Sequence, residues 1–188
     1  MNKKTIVCFG DSMVYGYPVS RSECWGTLLQ EQSGYSVINR GMNGDTTGGM
    51  LRRFDRHVLK ESPEWLFLLG GTNDFLLGGS LSSVQNNLMF LMRRAQAEQI
   101  RVRLATVTPY IPELAAYGMF AGMDLGRAET LRQKLNTWIR AQEECLDTAS
   151  AIESLPQETW PDYSVDGVHI NAAGHRLVAG FLLQHFHQ

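Results

Sequence analysis

The chain alternates short apolar segments, rich in β-branched residues, with longer segments in which apolar residues recur at helical spacing. Short continuous apolar runs predict buried strands, because a strand that is covered on both faces has no polar side. Four such strands are predicted at residues 4–9, 35–39, 65–69 and 102–107, and a weaker fifth strand at residues 149–154.

Helices are predicted between the strands, from apolar residues three and four positions apart. The first should end near Gly34, since glycine is common just beyond a helix C-terminus. Another should begin at residues 82–85, which have capping-box spacing, and residues 108–126 are predicted as a long loop. The apolar positions that mark the helices are Trp25, Leu28 and Leu29; Met50, Leu51, Phe54 and Val58; Val84, Leu88, Leu91, Met92 and Ala95; Leu131, Leu135, Trp138, Ile139 and Leu146; and Leu177, Val178, Phe181, Leu182 and Phe186.

Strands that alternate with helices in this way imply a parallel sheet covered by helices on both faces. No linker, low-complexity tract or internal repeat interrupts the pattern, and 188 residues suit one domain. The sequence therefore predicts a single α/β domain over residues 1–188, a three-layer α/β/α sandwich around a five-stranded parallel sheet.

The charge of the chain points to no macromolecular partner. The formal net charge is −2, and the basic residues are scattered, so neither nucleic-acid binding nor stable membrane association is expected. The pairs Arg52-Arg53 and Arg93-Arg94 are interpreted as solvated helix faces. A monomer or a small homo-oligomer is expected.

Three cysteines, an odd number without paired metal-ligand spacing, suggest neither a disulfide framework nor a metal site. Cys8 lies within an apolar run and is interpreted as a small buried hydrophobe. The chain opens with two lysines and an apolar stretch, but residues 5–9 are too short for the hydrophobic part of a signal peptide. A cytoplasmic location is therefore expected.

Polar and glycine-rich motifs follow the predicted strands, where an open parallel sheet binds its ligands. The four motifs are Gly10-Asp11-Ser12, residues 41–45, Gly71-Thr72-Asn73-Asp74, and Asp166-Gly167-Val168-His169 near the C-terminus. Each has an ordinary interpretation by itself, as a turn, a helix cap or an Asx turn. Residues 41–49 could also be a flexible loop or a phosphate cradle, although neither the Walker nor the dinucleotide spacing is present.

Together these motifs supply the groups that acyl transfer needs. Ser12 is a candidate nucleophile, and His169 is the base that would take its proton near neutral pH. Asp166, three residues away in a turn, would fix the tautomer of the imidazole. Three oxyanion donors are predicted: the backbone N–H groups of Ser12 and Gly44, and the side-chain amide of Asn73.

These four motifs, in this order, resemble those of the SGNH (GDSL-type) hydrolases, a family named for Ser, Gly, Asn and His in separate blocks. The resemblance covers nearly the whole chain. Two positions depart from the usual pattern: Met13 stands where leucine is frequent, and Ile170 where proline is frequent. Neither departure removes a catalytic group.

The resemblance implies a flavodoxin-like strand order 2-1-3-4-5 and an esterase, thioesterase or lipase-like activity, with no metal or cofactor. It also implies the roles argued above for the serine, histidine, aspartate, glycine and asparagine. Asp11 and Asp74 match the family pattern, and both are interpreted as supports for their loops.

The substrate should be bounded by the loops around this edge of the sheet. Residues 108–126 are too apolar for an exposed linker, and the candidate substrate-binding residues in them are Tyr110, Ile111, Met119 and Phe120. The alternative is a segment that packs on the sheet edge or in a dimer contact. Residues 14–18 form a second candidate wall.

The leading hypothesis is a serine esterase or acylhydrolase that cleaves small-molecule carboxylic esters, with short acyl, aryl or acetyl groups, through an acyl-serine intermediate. An acyltransferase that uses the same triad is a second hypothesis. The third is a non-enzymatic flavodoxin-like module that binds phosphate or a nucleotide at residues 41–49. The natural substrate, whether a lipid, an aryl ester, a sugar acetyl ester or a thioester, stays open.

Overall fold

A computed structural model describes residues 4–186 and places a five-stranded parallel sheet, in the order β2-β1-β3-β4-β5, at the centre of the molecule. This order confirms the predicted fold. The strands are β1 (Thr5–Gly10), β2 (Ser36–Gly41), β3 (Trp65–Leu68), β4 (Arg101–Ala105) and β5 (Cys145–Leu146).

Helices cover both faces of the sheet, as predicted. They are α1 (Ser12–Tyr15), α2 (Trp25–Ser33), α3 (Thr47–His57), α4 (Thr72–Leu76), α5 (Leu81–Ala97), α6 (Pro112–Ala115), α7 (Leu125–Arg140), α8 (Ser150–Glu153) and α9 (Ala172–His185). Within residues 4–186, none of these helices combines the length and the apolar character that crossing a bilayer requires.

Alternate residues of the strands form two separate cores. Val7 and Phe9 of β1 point to the face that α3, α5 and α7 cover, whereas Ile6 and Cys8 point to the face that α2 and α9 cover. All four side chains have no exposed surface, which agrees with the interpretation of Cys8 as a buried hydrophobe. Because both faces are buried, the strand is apolar at every position and was predictable from its sequence.

The fifth strand was predicted in the wrong place. Residues 149–154 form no strand; instead β5 comprises only Cys145 and Leu146, opposite Leu104 and Ala105 of β4. Leu146 therefore belongs to the sheet and not to the preceding helix. The chain leaves the sheet after Leu146, and a hydrogen bond to Thr106 holds it there. The Thr106 hydroxyl accepts this bond from the Ala149 N–H at 2.8 Å.

Two other boundaries differ from the sequence prediction. Helix α5 begins at Leu81, ahead of the predicted capping box, because the Ser80 hydroxyl caps it by accepting a hydrogen bond from the Ser83 N–H at 3.2 Å. Residues 108–126 are not one uninterrupted loop, since they contain α6 and the first residues of α7. Residues 1–3, on which part of the signal-peptide argument rests, lie outside the described residues.

His175 links the C-terminal helix to the loop that follows β1. Its ring is completely buried on α9, and its Nδ1 accepts a hydrogen bond from the Trp25 N–H at 3.3 Å. The indole of Trp25 donates in turn to the Met13 carbonyl at 2.9 Å. The Nε2 atom of His175 has no hydrogen-bond partner among the described residues. Burial lowers the pKa of His175 to about 4, although the nearby Glu23 carboxylate opposes this shift.

His175 should make the protein sensitive to acid. Below the ordinary histidine pKa of 6.5 the unfolded chain takes up a proton at this position, whereas the folded protein does not until about pH 4. Stability should therefore fall by roughly 3 kcal/mol between these pH values. We expect His175→Gln, in urea unfolding at pH 4.5 and 7.5, to remove this part of the pH dependence.

The matched control is His185→Gln, since His185 is an exposed histidine at the end of the same helix. This substitution should leave the pH dependence unchanged. An equal pH dependence in His175→Gln and the wild-type protein would rule out the buried ring as its source.

Candidate active site

The backbone packs closely where β1 and β2 end. Gly10 and Gly41 are partners in the parallel register of these strands. A Cβ atom on Gly10 would lie 2.2 Å from the Leu69 carbonyl oxygen, and one on Gly41 would lie 2.0 Å from the Tyr15 nitrogen. Only glycine fits at such distances from backbone atoms, so the turn after β1 can rest directly against the neighbouring strands.

Ser12 begins the short helix α1 at this point. The Asp11 carboxylate caps that helix by accepting a hydrogen bond from the Met13 N–H at 2.9 Å, which agrees with its expected role as a loop support. The Ser12 side chain is 5% exposed and lies at the carboxyl edge of the sheet. Its Oγ atom is 3.0 Å from the Nε2 atom of His169.

The turn before α9 brings His169 to this position and holds it there. Asp166 Oδ1 accepts hydrogen bonds from the N–H groups of Val168 at 3.0 Å and of His169 at 2.7 Å. Asp166 Oδ2 is 2.7 Å from the Nδ1 atom of His169. Burial alone would raise the pKa of Asp166, but the hydrogen bonds from the ring and backbone of His169 outweigh it and lower the pKa below its usual value. The carboxylate is therefore charged beside the ring.

The three predicted oxyanion donors come from the loops after β1, β2 and β3. Gly44 lies in an exposed turn between β2 and α3. Among residues 4–186, the backbone N–H groups of Ser12 and Gly44 donate to no other protein atom. The Asn73 amide, on α4, donates one hydrogen bond to the Asp45 carbonyl at 2.8 Å, and its second N–H is not used in this contact. Asn73 is thereby tied to the residue that follows Gly44.

Asp74 holds the start of α3 against α4. Its carboxylate accepts hydrogen bonds from the backbone N–H of Thr47 at 2.9 Å and from the Thr47 hydroxyl at 2.7 Å. The Asn87 amide donates to the same hydroxyl at 2.9 Å. This arrangement agrees with the loop-support role expected for Asp74.

Three polar side chains are buried together, and one of them, Asp11, directly precedes the serine. Asp11 Oδ2, the Thr72 hydroxyl and the Tyr110 hydroxyl are buried close together, although none of them has a hydrogen bond of good geometry among the described residues. Burial raises the pKa of Asp11 to about 6, although the Met13 N–H, His169 and the Thr72 hydroxyl oppose the shift. Burial also raises the pKa of Tyr110, which is only 3% exposed. Tyr110, predicted as a substrate-binding residue, thus lies in the core.

Two aromatic rings contact the His169 imidazole. The Tyr17 ring lies 4.8 Å away, edge to face, and the Phe120 ring lies 5.8 Å away at an interplanar angle of 34°. Phe120 was predicted as a substrate-binding residue, whereas Tyr17 was not singled out. The only signal for Tyr17 was its place within the candidate wall at residues 14–18.

Residues 108–126 are anchored to the histidine turn. The Ile111 N–H donates to the Gly167 carbonyl at 2.7 Å, and Ile111 is half-buried. In contrast Met119 and Tyr117 are exposed to 60% and 81%. The structure therefore brings Ile111 and Phe120 to the histidine turn and leaves Met119 on the open surface of the same segment.

Arg53 is not on a solvated helix face, contrary to the sequence prediction for Arg52-Arg53. Its side chain is only 11% exposed, because its guanidinium turns inward from α3 and pairs with Asp45, with Nε 2.6 Å from Oδ2. Arg52, its neighbour, is exposed. Adjacent residues point about 100° apart on a helix, and Arg53 is the one on the side of the buried Met50 and Phe54.

Comparison with known proteins places the chain in a family. The model of the GDSL-like Lipase/Acylhydrolase family matches residues 8–177. Esterase TesA of Pseudomonas aeruginosa is 31% identical over 106 residues, which cover 54% of this chain and 53% of the relative. Thioesterase 1/protease 1/lysophospholipase L1 of Escherichia coli is 32% identical over 95 residues, which cover 50% of this chain and 46% of the relative.

The chain thus spans about half the length of these curated relatives. The fold is shared over a greater length. A member of the lipolytic protein G-D-S-L family from Veillonella parvula superposes with a TM-score of 0.79, covering 96% of this chain and 97% of that structure at 21% identity. The match to the family model extends from within β1 into α9, and on this basis the chain belongs to the GDSL-like lipase/acylhydrolase family.

Proposed function

We propose that the chain is a serine hydrolase that cleaves carboxylic esters, with Ser12 as nucleophile, His169 as general base and Asp166 as the orienting acid. The observation that carries the proposal is the line of contacts between these side chains. Ser12 Oγ lies 3.0 Å from His169 Nε2, and His169 Nδ1 lies 2.7 Å from Asp166 Oδ2. Both distances are within the range for hydrogen bonds.

The first half-reaction forms an acyl-serine. His169 Nε2 takes the hydroxyl proton as Ser12 Oγ attacks the ester carbonyl carbon, and the carbonyl oxygen becomes an oxyanion. The oxyanion is stabilised by the N–H groups of Ser12 and Gly44 and by the Asn73 amide. When the intermediate collapses, the carbon–oxygen bond to the alcohol breaks, and His169 gives its proton to the leaving alkoxide.

The second half-reaction uses water and the same groups. His169 takes a proton from the water as its oxygen attacks the acyl carbon, and the new oxyanion occupies the same donors. Collapse releases the acid and returns the proton to Ser12. Asp166 stays ionised throughout and stabilises the imidazolium, and its lowered pKa favours this charged state.

The surroundings of the serine support an ester with an apolar acyl or aryl group. Exposed large apolar side chains are concentrated on the loops at the carboxyl edge of the sheet. Eight of the nine among the described residues lie on the loops and short helices that follow the strands, and the ninth, Phe90, lies on α5; the eight are Tyr15, Met42, Leu77, Leu114, Tyr117, Met119, Met123 and Val165. Short acyl, aryl and acetyl esters are the substrates we propose, and the names of the two curated relatives, an esterase and a thioesterase, agree with this chemistry.

The other properties that we propose follow from charge and cysteine content. A net charge of −2 favours a small-molecule ester over nucleic acid or an anionic membrane as the partner. We propose that the protein is a monomer or a small homo-oligomer. We also propose a cytoplasmic location, because all three cysteines are unpaired, as is usual in a reducing compartment.

Phosphate binding at residues 41–49 is disfavoured by the groups around the start of α3. The Thr47 N–H, which a phosphate would need, donates to the Asp74 carboxylate. The Gly49 N–H donates to the Thr46 hydroxyl, and the Asp45 carboxylate precedes the helix. Two carboxylates at this terminus would repel an anion.

Acyl transfer uses the same triad as hydrolysis, and product analysis with and without an acceptor alcohol separates these two activities.

Substitution of the serine or the histidine tests the proposal. Ser12→Ala removes the nucleophile and His169→Ala the base, so each should lower kcat for p-nitrophenyl acetate by about 10⁴-fold or more. Asn73→Ala should lower kcat by about 10²-fold, since one of several oxyanion donors is lost.

Ser22→Ala is the matched control, because Ser22 is an exposed serine ten residues further along the chain, and its activity should equal that of the wild-type protein. A fluorophosphonate probe should label the wild-type protein but not Ser12→Ala. Full activity in Ser12→Ala would show that another group carries the reaction.

Phe120 provides a separate test of the site wall. Loss of its ring removes one aromatic contact from His169, an interaction of about 0.5–1.5 kcal/mol, and opens space beside the imidazole. Phe120→Ala should therefore lower kcat/KM for the acetyl ester by about 2- to 12-fold. It should also shift the preference among p-nitrophenyl esters toward longer acyl chains. Tyr117→Ala, an exposed aromatic in the same segment, is the control, and identical profiles for the two variants would contradict this role.

A further inference from the structure

The Arg53 guanidinium binds three different segments at the edge of the sheet. From α3, Nε donates to Asp45 Oδ2 at 2.6 Å, Nη1 donates to the Arg40 carbonyl at 2.8 Å, and Nη2 donates to the Gly10 carbonyl at 2.8 Å. Arg40 and Gly10 lie at the ends of β2 and β1. The guanidinium therefore joins the two strand ends to the loop between β2 and α3, residues 42–46, which we call the oxyanion loop.

Two of these three contacts lie beside a proposed oxyanion donor. Gly10 is two residues before Ser12, and Asp45 directly follows Gly44. The Asp45 carbonyl also accepts the hydrogen bond from the Asn73 amide at 2.8 Å. The segments that carry the Ser12 and Gly44 donors thus meet at the Arg53 guanidinium, and the Asn73 donor is joined to them through Asp45.

The setting of Arg53 makes these contacts strong. The Arg53 and Asp45 side chains are 11% and 8% exposed, so water competes little for their hydrogen bonds. The guanidinium carbon lies 4.2 Å from the centroid of the buried Phe9 ring, within the range of a cation–π contact. A planar guanidinium has several N–H donors in fixed directions, whereas a lysine ammonium in the same place could not reach three acceptors in one plane.

We propose that Arg53 is a positioning residue for ester hydrolysis, which holds the oxyanion loop in register with Ser12. The inference rests on the proposed function for its catalytic consequence. Arg53 does not touch the substrate; it acts through Asp45 and Gly10, which fix the directions of the Gly44 and Ser12 N–H groups. Donors that are fixed before the reaction stabilise the oxyanion without reorganisation.

Arg53→Lys tests this role without loss of the positive charge. Since the lysine cannot make the three hydrogen bonds, the donors should be less well fixed, and kcat for p-nitrophenyl acetate should fall by about 10- to 100-fold, somewhat less than removal of a donor would cause. KM should change by less than about threefold, because the oxyanion forms only after substrate binding.

Val58→Ala is the matched control for a general loss of stability. Val58 is completely buried at the C-terminal end of α3, whereas the oxyanion loop precedes the N-terminal end, and it makes none of the hydrogen bonds described for the site. The variant should have a lower Tm with kcat near that of the wild-type protein. If kcat in Arg53→Lys falls no further than in Val58→Ala, Arg53 only stabilises the fold and the positioning role is wrong.

Amide hydrogen exchange gives a second measurement that needs no activity. The Met42 N–H donates to the Gly10 carbonyl at 3.0 Å, and the Asp45 N–H donates to the Met42 carbonyl at 3.2 Å. In Arg53→Lys these two amides should exchange faster, while amides in β4 stay unchanged. Unchanged exchange at Met42 and Asp45 would overturn the proposal.

The two measurements also separate this inference from the proposed function. Full activity in Ser12→Ala, or no ester cleavage by the wild-type protein, defeats the proposed function, and hydrogen exchange then decides whether Arg53 holds the loop. If Ser12→Ala is inactive but Arg53→Lys has normal kcat and normal exchange, the Arg53 proposal is wrong and the proposed function stands.

Discussion

Backbone contact at the paired glycines Gly10 and Gly41 fixes where the remaining groups of the site can lie. With no side chain at either position, the turn that carries Ser12 rests directly on the ends of β2 and β3. A methyl group at Gly41 would have to displace the backbone of Tyr15, three residues after Ser12, because its Cβ would lie 2.0 Å from the Tyr15 nitrogen. Strand register and backbone packing therefore fix the position of the serine, and its side-chain contacts are not needed for this.

Buried polar contacts then join the loops that follow the strands. Asp74 holds Thr47, Asn73 holds the Asp45 carbonyl, and Arg53 holds Asp45 and the strand ends. A buried polar group without a partner is costly, so each of these contacts restricts its loop to one position. Such a network is what a preorganised oxyanion site requires. The buried group of Asp11, Thr72 and Tyr110 is the exception in this region, because its side chains lie close together without a hydrogen bond of good geometry.

The elements that could be predicted from sequence are those with a strong periodic signal. Residues 4–9 and 65–69 were identified because strands buried on both faces are continuously apolar, and the motifs that follow them lie where parallel strands end. The fifth strand was misplaced, since two residues, Cys145 and Leu146, carry no detectable period. Its position is set by Thr106, a tertiary contact that no local pattern reveals.

At the candidate site, the sequence prediction failed where it did not consider which way a side chain points. Arg53 and Arg52 look alike in sequence, but one is buried at the strand ends and the other is exposed. Tyr17 contacts His169 only because the chain brings together residues that are far apart in sequence. The candidate residues Ser12, Asp166 and His169 stood out in the sequence because a possible nucleophile follows the first strand, and a possible acid and base share one turn near the C-terminus.

The central claim, that Ser12 carries the acyl group, is tested most directly by trapping the intermediate. The wild-type protein would be mixed with p-nitrophenyl acetate, quenched in acid during turnover, digested and analysed by mass spectrometry. We expect one acetyl group on the peptide that contains Ser12 and none on that peptide in His169→Ala. Ester cleavage without an acetylated Ser12 peptide, or with the acetyl group on another residue, would contradict the account.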